Sequence, residues 1–375
     1  MNNSNNGYFP AMTGVRAIAA YLVFVYHMTS SNEVSIAYNN LSTFCSQLHI
    51  GVTVFYVLSG FVITNKYYDT QKINWRKYFI NRFARIYPMF FGITTLTYLA
   101  KLIYPSLTIN INLPLYLLNI TFLKSFFADF ILSGVGQTWS LTPEEMFYFS
   151  VPLFYFFIKK STSYLLVIPV GLLVIGLMLV AIFKNVDFYG FFNSNQLMLQ
   201  TTFFGRSCEF FVGIFLALMM RKRKETNLSN WGVFTYAGMV IIIVHIVALA
   251  IVKTNYHGES GVFLYHFICN FSLPVLGISS FFWGLLTERS LVSKLLSSGL
   301  FQILGKSSYV FYLIHVGIVA VVLSKINASP FFLFIALNIV SIVLFKLAEE
   351  PSARYIKQKL YPVKIKSTRL ETDKQ

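Results

Sequence analysis

The sequence predicts an all-α, polytopic membrane protein of about ten transmembrane helices plus one re-entrant or non-crossing segment, with both termini in the cytoplasm. Three observations predict it. Of 375 residues, 56% are hydrophobic and 18% aromatic, while only 12% are charged, about half the charged share of a soluble domain. Apolar runs near the ~20 residues that a helix needs to cross a bilayer recur along the whole chain. The basic residues gather between those runs, in Lys66 to Arg85, in Arg221-Lys222-Arg223-Lys224 and from Arg354 to Lys374, as cytoplasmic membrane flanks do. The net charge of +16 is therefore assigned to the lipid surface and not to nucleic acid. Three cysteines (Cys45, Cys208, Cys269) without metal-like spacing predict neither a disulfide framework nor a metal site. Met1 to Tyr8 is polar without a basic residue, so no cleavable signal peptide is expected.

Eleven apolar runs are centred near residues 22, 58, 95, 121, 151, 173, 212, 242, 274, 315 and 339. With the amino terminus inside and all eleven crossing, the 30 basic residues divide 12 inside to 18 outside, the reverse of the positive-inside rule. If the segment from Asn112 to Leu141 dips in and returns, the division becomes 24 inside to 6 outside. That segment contains Pro114, Asn119, Lys124, Asp129 and Gly134-Val135-Gly136, a composition poor for a lipid-facing helix. Irregular backbone at membrane depth must be covered by protein or line a wet cavity, so a cavity is expected beside it. No internal repeat is visible. Residues 1–352 read as one transmembrane domain and 353–375 as a basic cytoplasmic tail.

Ionisable groups within spans cost several kcal/mol unless paired or hydrated. The first span carries Arg16 and His27, eleven residues apart, which is close to three turns and roughly 16 Å along one helix face. Arg16 falls near the cytoplasmic side and His27 in the outer half, where an imidazole suits general-base work; a snorkelling Arg and a packed His are the structural alternative. Arg82 and Arg85 begin the third span, three apart on one face. They are placed to fork onto phosphate oxygens or to anchor lipid head groups. Thr142 and Glu145 have capping-box spacing with Pro143 at the first helical position. Glu144 is thereby left for the outer ends of the spans, on the side of His27, where it would orient an imidazole or an acceptor hydroxyl. Arg206 and Glu209 neutralise one another or line the same depth. Ser308, Tyr309, Tyr312 and His315 share the tenth span, the last three at helical spacing, as pocket-lining candidates. Ser59 and Gly60 read as close helix packing. His49, His257 and His266 fall at predicted loops or span ends and His245 is alone in its span; none carries a comparable signal.

These elements, in this order, resemble the acyltransferase 3 family of membrane-bound O-acyltransferases. The matching stretches are Thr13-Gly14-Val15-Arg16-Ala17-Ile18-Ala19 through His27, Gly51 to Phe61, and Arg82-Phe83-Ala84-Arg85-Ile86-Tyr87-Pro88. They continue with Trp139-Ser140-Leu141 and Glu144, Phe147-Tyr148, Arg206 with Glu209 and Gly213, Gly305 through His315, and Glu350-Pro351. Ala11-Met12-Thr13-Gly14 replaces the family's usual acidic lead before Arg16. Some relatives append an extracellular hydrolase-like domain, whereas this chain stops soon after its last span. The resemblance implies an O-acetyltransferase of the bacterial cytoplasmic membrane. Acetyl-CoA would be its co-substrate, with no permanently bound cofactor, and the acceptor a hydroxyl of a cell-surface or lipid-linked glycan. Under it, His27 and Glu144 are catalytic and Arg16, Arg82 and Arg85 bind CoA. Trp139, Ser140, Arg206, Glu209, Tyr309, Tyr312 and His315 line the acceptor pocket. The alternative from another class is a transporter or flippase for an anionic or glycolipid solute, which inverted repeats or a pair of broken helices would favour.

Overall fold

The computed structural model describes residues 8–30, 39–68, 73–103, 112–223, 229 and 231–361. Lys72, Lys224 and the tail beyond 361 lie outside them. The described residues are helical, with isolated bridges and no named strand. The elements that position the site are α1 (Pro10–Ser30), α2 (Asn39–Cys45), α3 (Gly51–Tyr67), α4 (Trp75–Ile103), α5 (Leu113–Ile120), α6 (Leu141–Lys160) and α7 (Tyr164–Phe183). They continue with α8 (Asn195–Thr201), α9 (Phe203–Lys222), α10 (Val233–Asn255), α11 (Gly258–Thr287, with a π-helical stretch Ile268–Ile278), α12 (Leu291–Leu296), α13 (Gly299–Ile314), α14 (Ile318–Ile326) and α15 (Pro330–Leu360).

Among the described residues, seven helices are long and apolar enough to cross a membrane. The count is eight if α13 and α14, bent by 92° at residues 315–317, form one span. The sequence expectation was about ten. Two more helices have spanning length, α4 with 29 residues and α6 with 20. Their apolar signal is diluted by Arg76, Lys77, Arg82 and Arg85 in one and by Glu144, Glu145, Lys159 and Lys160 in the other.

Between α4 and α6 the described residues form no helix of spanning length. The eight-residue α5 is followed by short 3-10 turns at Lys124–Phe126, Ala128–Phe130 and Gly136–Ser140. The polar residues that spoil this run as a span hold it together as a fold. Asn112 Oδ1 caps α5 by accepting from Leu115 N at 2.7 Å. The Asn119 amide nitrogen lies 3.1 Å from Tyr98 Oη, 2.9 Å from Leu115 O and 2.8 Å from Ser133 Oγ, which share its two hydrogens. The buried Lys124 ammonium donates to the carbonyls of Ser133 and Val135 at 2.8 and 2.7 Å, which satisfies a cation that would otherwise be costly to bury. Gly134 turns the chain at φ +61, where a Cβ would stand 2.6 Å from Asn119 Oδ1.

The bundle is closed by backbone contact. A Cβ on Gly60 of α3 would lie 2.1 Å from Phe210 O of α9, and one on Gly213 of α9 would lie 2.0 Å from Val57 O of α3. On the other side of α1, a Cβ on Gly305 of α13 would lie 2.0 Å from Thr13 O. Small residues let helix backbones approach where lipid offers no hydrophobic drive. Packing thus accounts for Gly60 as expected; Ser59 has a different part, described next.

Candidate active site

Three cavities follow one another along α1 and α3. A vestibule of about 830 Å³ is walled by Arg16, Lys66, Arg85, Lys306 and Glu350. A narrow central cavity of about 60 Å³ is walled by Arg16, Ser59, Arg82, Arg85, Glu144, Tyr148, Tyr309 and Tyr312. An outer chamber of about 460 Å³ is walled by His27, His49, Gln137, Trp139, Gln196, Gln200, Arg206 and Tyr312. Arg16, Leu58, Val62 and Arg85 belong to the first two, and Val52 and Tyr312 to the last two. Arg16 and His27, three turns apart on α1, thus border different cavities of this series.

The hydrogen bonds of the His27 ring fix its tautomer. His27 Nδ1 lies 2.9 Å from Val23 O and 3.1 Å from His315 Nε2. His315 Nδ1 lies 2.8 Å from Tyr312 O. Each carbonyl can only accept, so each Nδ1 carries a hydrogen. The one hydrogen of His27 Nδ1 is then shared between Val23 O and His315 Nε2, and the neutral His27 keeps its lone pair on Nε2, as a general base or nucleophile needs. His315 is fully buried at 0% exposure, with its ring parallel to that of Phe311. It is a partner of His27, not a pocket wall.

Its position comes from the break between α13 and α14, where Gly317 adopts φ +102. The Gln137 amide nitrogen lies 3.3, 2.9 and 3.1 Å from the carbonyls of Tyr312, Leu313 and Val316. It thereby satisfies carbonyls that a broken helix leaves open. Ser140 Oγ meets Tyr312 Oη at 2.7 Å, and Tyr312 Oη donates to Gln137 O. The irregular segment of residues 112–140 therefore clamps the helix end that carries His315.

Glu144 is placed elsewhere than the sequence suggested. It borders the central cavity among the arginines, not the chamber of His27. Ser59 donates to its Oε1 at 2.6 Å, and Tyr148 donates to the same oxygen. Arg82 lies over the Tyr148 ring at 5.6 Å. The expected capping box is absent as well. The 3-10 turn ending at Ser140 runs straight into α6 and supplies the carbonyls of Thr138 and Trp139 to the N–H of Leu141. Thr142 Oγ1 is turned away and donates to Phe122 O at 2.6 Å. Glu145 instead borders an apolar groove with Phe79, Phe83 and Phe149.

Arg206 and Glu209 form a buried ion pair at 2.8 Å, with exposures of 2% and 0%. Arg206 also donates to Thr53 Oγ1 at 3.1 Å and lies over the Tyr56 ring. A pair this dry is held by its surroundings, and Arg206 presents one side to the outer chamber. Tyr309 donates to Ile86 O at 2.8 Å, tying α13 to α4. His245 is satisfied by Ile241 O and Ser272 Oγ.

Sequence reasoning missed Ser59, Gln137, His49, Gln196 and Gln200. His49, read as a loop residue, is held at 2.5 Å by Tyr265 Oη in the wall of the outer chamber. Tyr148, one turn after Glu144, was the one neighbour legible from spacing.

An all-helical membrane bundle with a basic vestibule and a half-buried imidazole at the far end has the form of an acyl-transferring membrane enzyme. Residues 9–347 match the family model described as an acyltransferase domain, and the chain belongs to the acyltransferase 3 family. It is similar to the O-acetyltransferase OatA of Staphylococcus aureus, 26% identical over 337 residues, covering 84% of this chain and 51% of that protein. It is also similar to the peptidoglycan O-acetyltransferase OatA of Listeria monocytogenes, 30% identical over 182 residues, covering 44% of this chain and 27% of that protein. The chain thus spans about half the length of the Staphylococcus aureus relative. No solved structure matches it.

Proposed function

We propose that the chain is a multi-pass O-acetyltransferase of the bacterial cytoplasmic membrane. It takes acetyl-CoA from the cytoplasm and delivers the acetyl group to a hydroxyl of a cell-surface or lipid-linked glycan. The observation that carries this reading is the ordered series of cavities, basic at one end and ending on His27 at the other. Ten spans complete the topology once α4 and α6 join the eight apolar spans. With both ends of the chain inside, Arg82 and Arg85 face the cytoplasmic half. There they clamp the phosphates of CoA, with Arg16 at the inlet, and the pantetheine arm runs along α1 toward the outer chamber.

In the chamber, His27 Nε2 takes the proton of the acceptor hydroxyl as that oxygen attacks the thioester carbonyl. The C–S bond breaks, and the proton passes to the departing CoA sulfur. Alternatively Nε2 itself accepts the acetyl group and then yields it to the hydroxyl. The two courses separate by exchange of labelled CoA into acetyl-CoA without acceptor, which only the second permits. Gln196, Gln200 and Asn193 offer amides for sugar hydroxyls, and Trp139 offers a face for a sugar ring. Glu144, two hydroxyls converging on one of its oxygens, serves the central passage and its arginines.

The test is acetyl transfer from labelled acetyl-CoA by the purified protein in liposomes, with mass spectrometry of glycans from cells with and without it. Absence of acetyl-CoA binding would remove the reading. It would favour the transporter alternative, on whose side stand two interrupted segments, the non-crossing run and the α13–α14 break. Those two are docked onto each other through Gln137 instead of being related as repeats.

A further inference from the structure

The vestibule holds more positive charge than a pyrophosphate needs. Its four cations come from four helices: Arg16 from α1, Lys66 from α3, Arg85 from α4 and Lys306 from α13. Glu350 is the carboxylate on its wall, and Glu350 Oε1 is bridged to Arg354 at 3.3 Å. The arginines have acidic company, since Glu349 is buried at 4% exposure and its electrostatic neighbours include Arg85 and Arg16. The lysines do not: among the described residues, neither Lys66 nor Lys306 is in an ion pair. Lys306 is fixed next to Gly305, where α13 touches the backbone of α1, so its stem starts at a set place on the rim. Between the cations the wall is aromatic, with Tyr8, Phe9, Phe61 and Phe345, and Phe9 and Phe61 lie 5.7 Å apart. Aromatic faces beside ammonium groups suit a purine carrying a phosphate.

We propose that Lys66 and Lys306 form a separate subsite for the 3′-phosphomonoester of the donor's nucleotide, outward of the arginines that take the pyrophosphate. The assignment rests on the acetyl-CoA reading above and deepens it. A pyrophosphate diester carries two charges and meets the forked guanidiniums. The terminal phosphate carries nearly two more and meets two point-charge ammoniums. The subsite makes the enzyme a reader of the phosphorylated ribose, able to refuse donors that lack it.

The experiment measures binding of CoA and of dephospho-CoA, each by calorimetry, to the full chain in nanodiscs of zwitterionic lipid and again with anionic lipid. The intact protein is expected to favour CoA by at least about tenfold, the worth of one charge-assisted contact. Lys66→Gln with Lys306→Gln is expected to bring that ratio toward one, chiefly by weakening CoA. Both lysines are exposed, so the fold should tolerate the changes, and a thermal melt checks this. An unchanged ratio in the double variant overturns the subsite. So does a ratio that collapses in the intact protein when anionic lipid is added, because the lysines would then serve lipid phosphates. Failure to bind either form at all overturns the donor assignment itself, a different result from binding both equally.

Discussion

His27 and His315 are joined across 288 positions of sequence, and the value of the pair lies in the nitrogen that His27 leaves open. His27→Ala is expected to abolish acetyl transfer, a loss of at least about 100-fold for a general base or nucleophile, with insertion and melting temperature retained. His315→Leu removes the acceptor that steadies the ring, together with the donation of His315 to Tyr312 O. It is expected to lower kcat by about tenfold or more while the KM for acetyl-CoA holds, as for a group that acts through another. His315→Asn, whose amide oxygen also accepts, should recover part of that loss. Equal loss in both variants, measured by steady-state kinetics, would assign His315 to packing alone. For the donor, Arg82→Ala with Arg85→Ala is expected to raise KM about tenfold or more and to leave kcat within a few-fold. A fall confined to kcat would remove the clamp. The Arg16–His27 relation was readable because a helix has a fixed rise per residue. The imidazole partner was not, because nothing local in Gly305 to His315 says which helix it faces. Glu144 was misplaced for a related reason: position along a span gives depth but not the neighbour at that depth, and Ser59 and Tyr148 supply that neighbourhood.

At the level of elements, the irregular backbone between Asn112 and Leu141 was legible from composition, and charge balance is the ground for reading that segment as non-crossing. Its role was not legible. Nothing in Gly134-Val135-Gly136-Gln137 announces that one amide will cap a helix broken 175 to 179 residues further on. Gln137→Leu is expected to leave the carbonyls of Tyr312, Leu313 and Val316 without that donor, at a cost of about 1–3 kcal/mol for buried polar groups. Hydrogen exchange around residues 315–318 should quicken, and activity should fall together with it; unaltered exchange would show that the clamp resides in Tyr312 and Ser140. The capping box at Thr142 and Glu145 was misread because the motif presumes a helix that starts from an extended residue. Here a 3-10 turn precedes it, the residue before the helix, Ser140, is not extended, and the N–H of Leu141 already has its carbonyls.

For the molecule as a whole, the positive-inside argument yields a topology with α4 and α6 as spans. In a background without native cysteines, Ser163→Cys in the α6–α7 turn is expected to react with a membrane-impermeant maleimide only from the cytoplasmic side. Asp187→Cys, after α7, should react only from the outside. Labelling of both from one side would unseat the ten-span arrangement. The composition made the membrane plain, and the resemblance supplied the chemistry. A cavity beside the segment from Asn112 to Leu141 was expected from its composition, and the chamber walled by Ala128, Leu132, Gln137 and Trp139 lies there; the series of three was beyond reach, because a cavity is made by side chains from helices far apart in sequence.

The meshing of α3 with α9 bears on how a thioester gets through. Where Gly60 and Gly213 let two backbones touch, that flank has no slack to yield, and moving it would tear contacts along both helices. Across the constriction α13 is also held at both ends, by Gly305 against Thr13 O and by Gln137 on the carbonyls of Tyr312 and Leu313. Between those ends Tyr309 to Ile86 O and Tyr312 to Ser140 are single hydroxyl ties, each of which swings on its own torsions. A cargo wider than the central constriction is therefore expected to pass by the turning of those two rings, with the helix backbones staying in place.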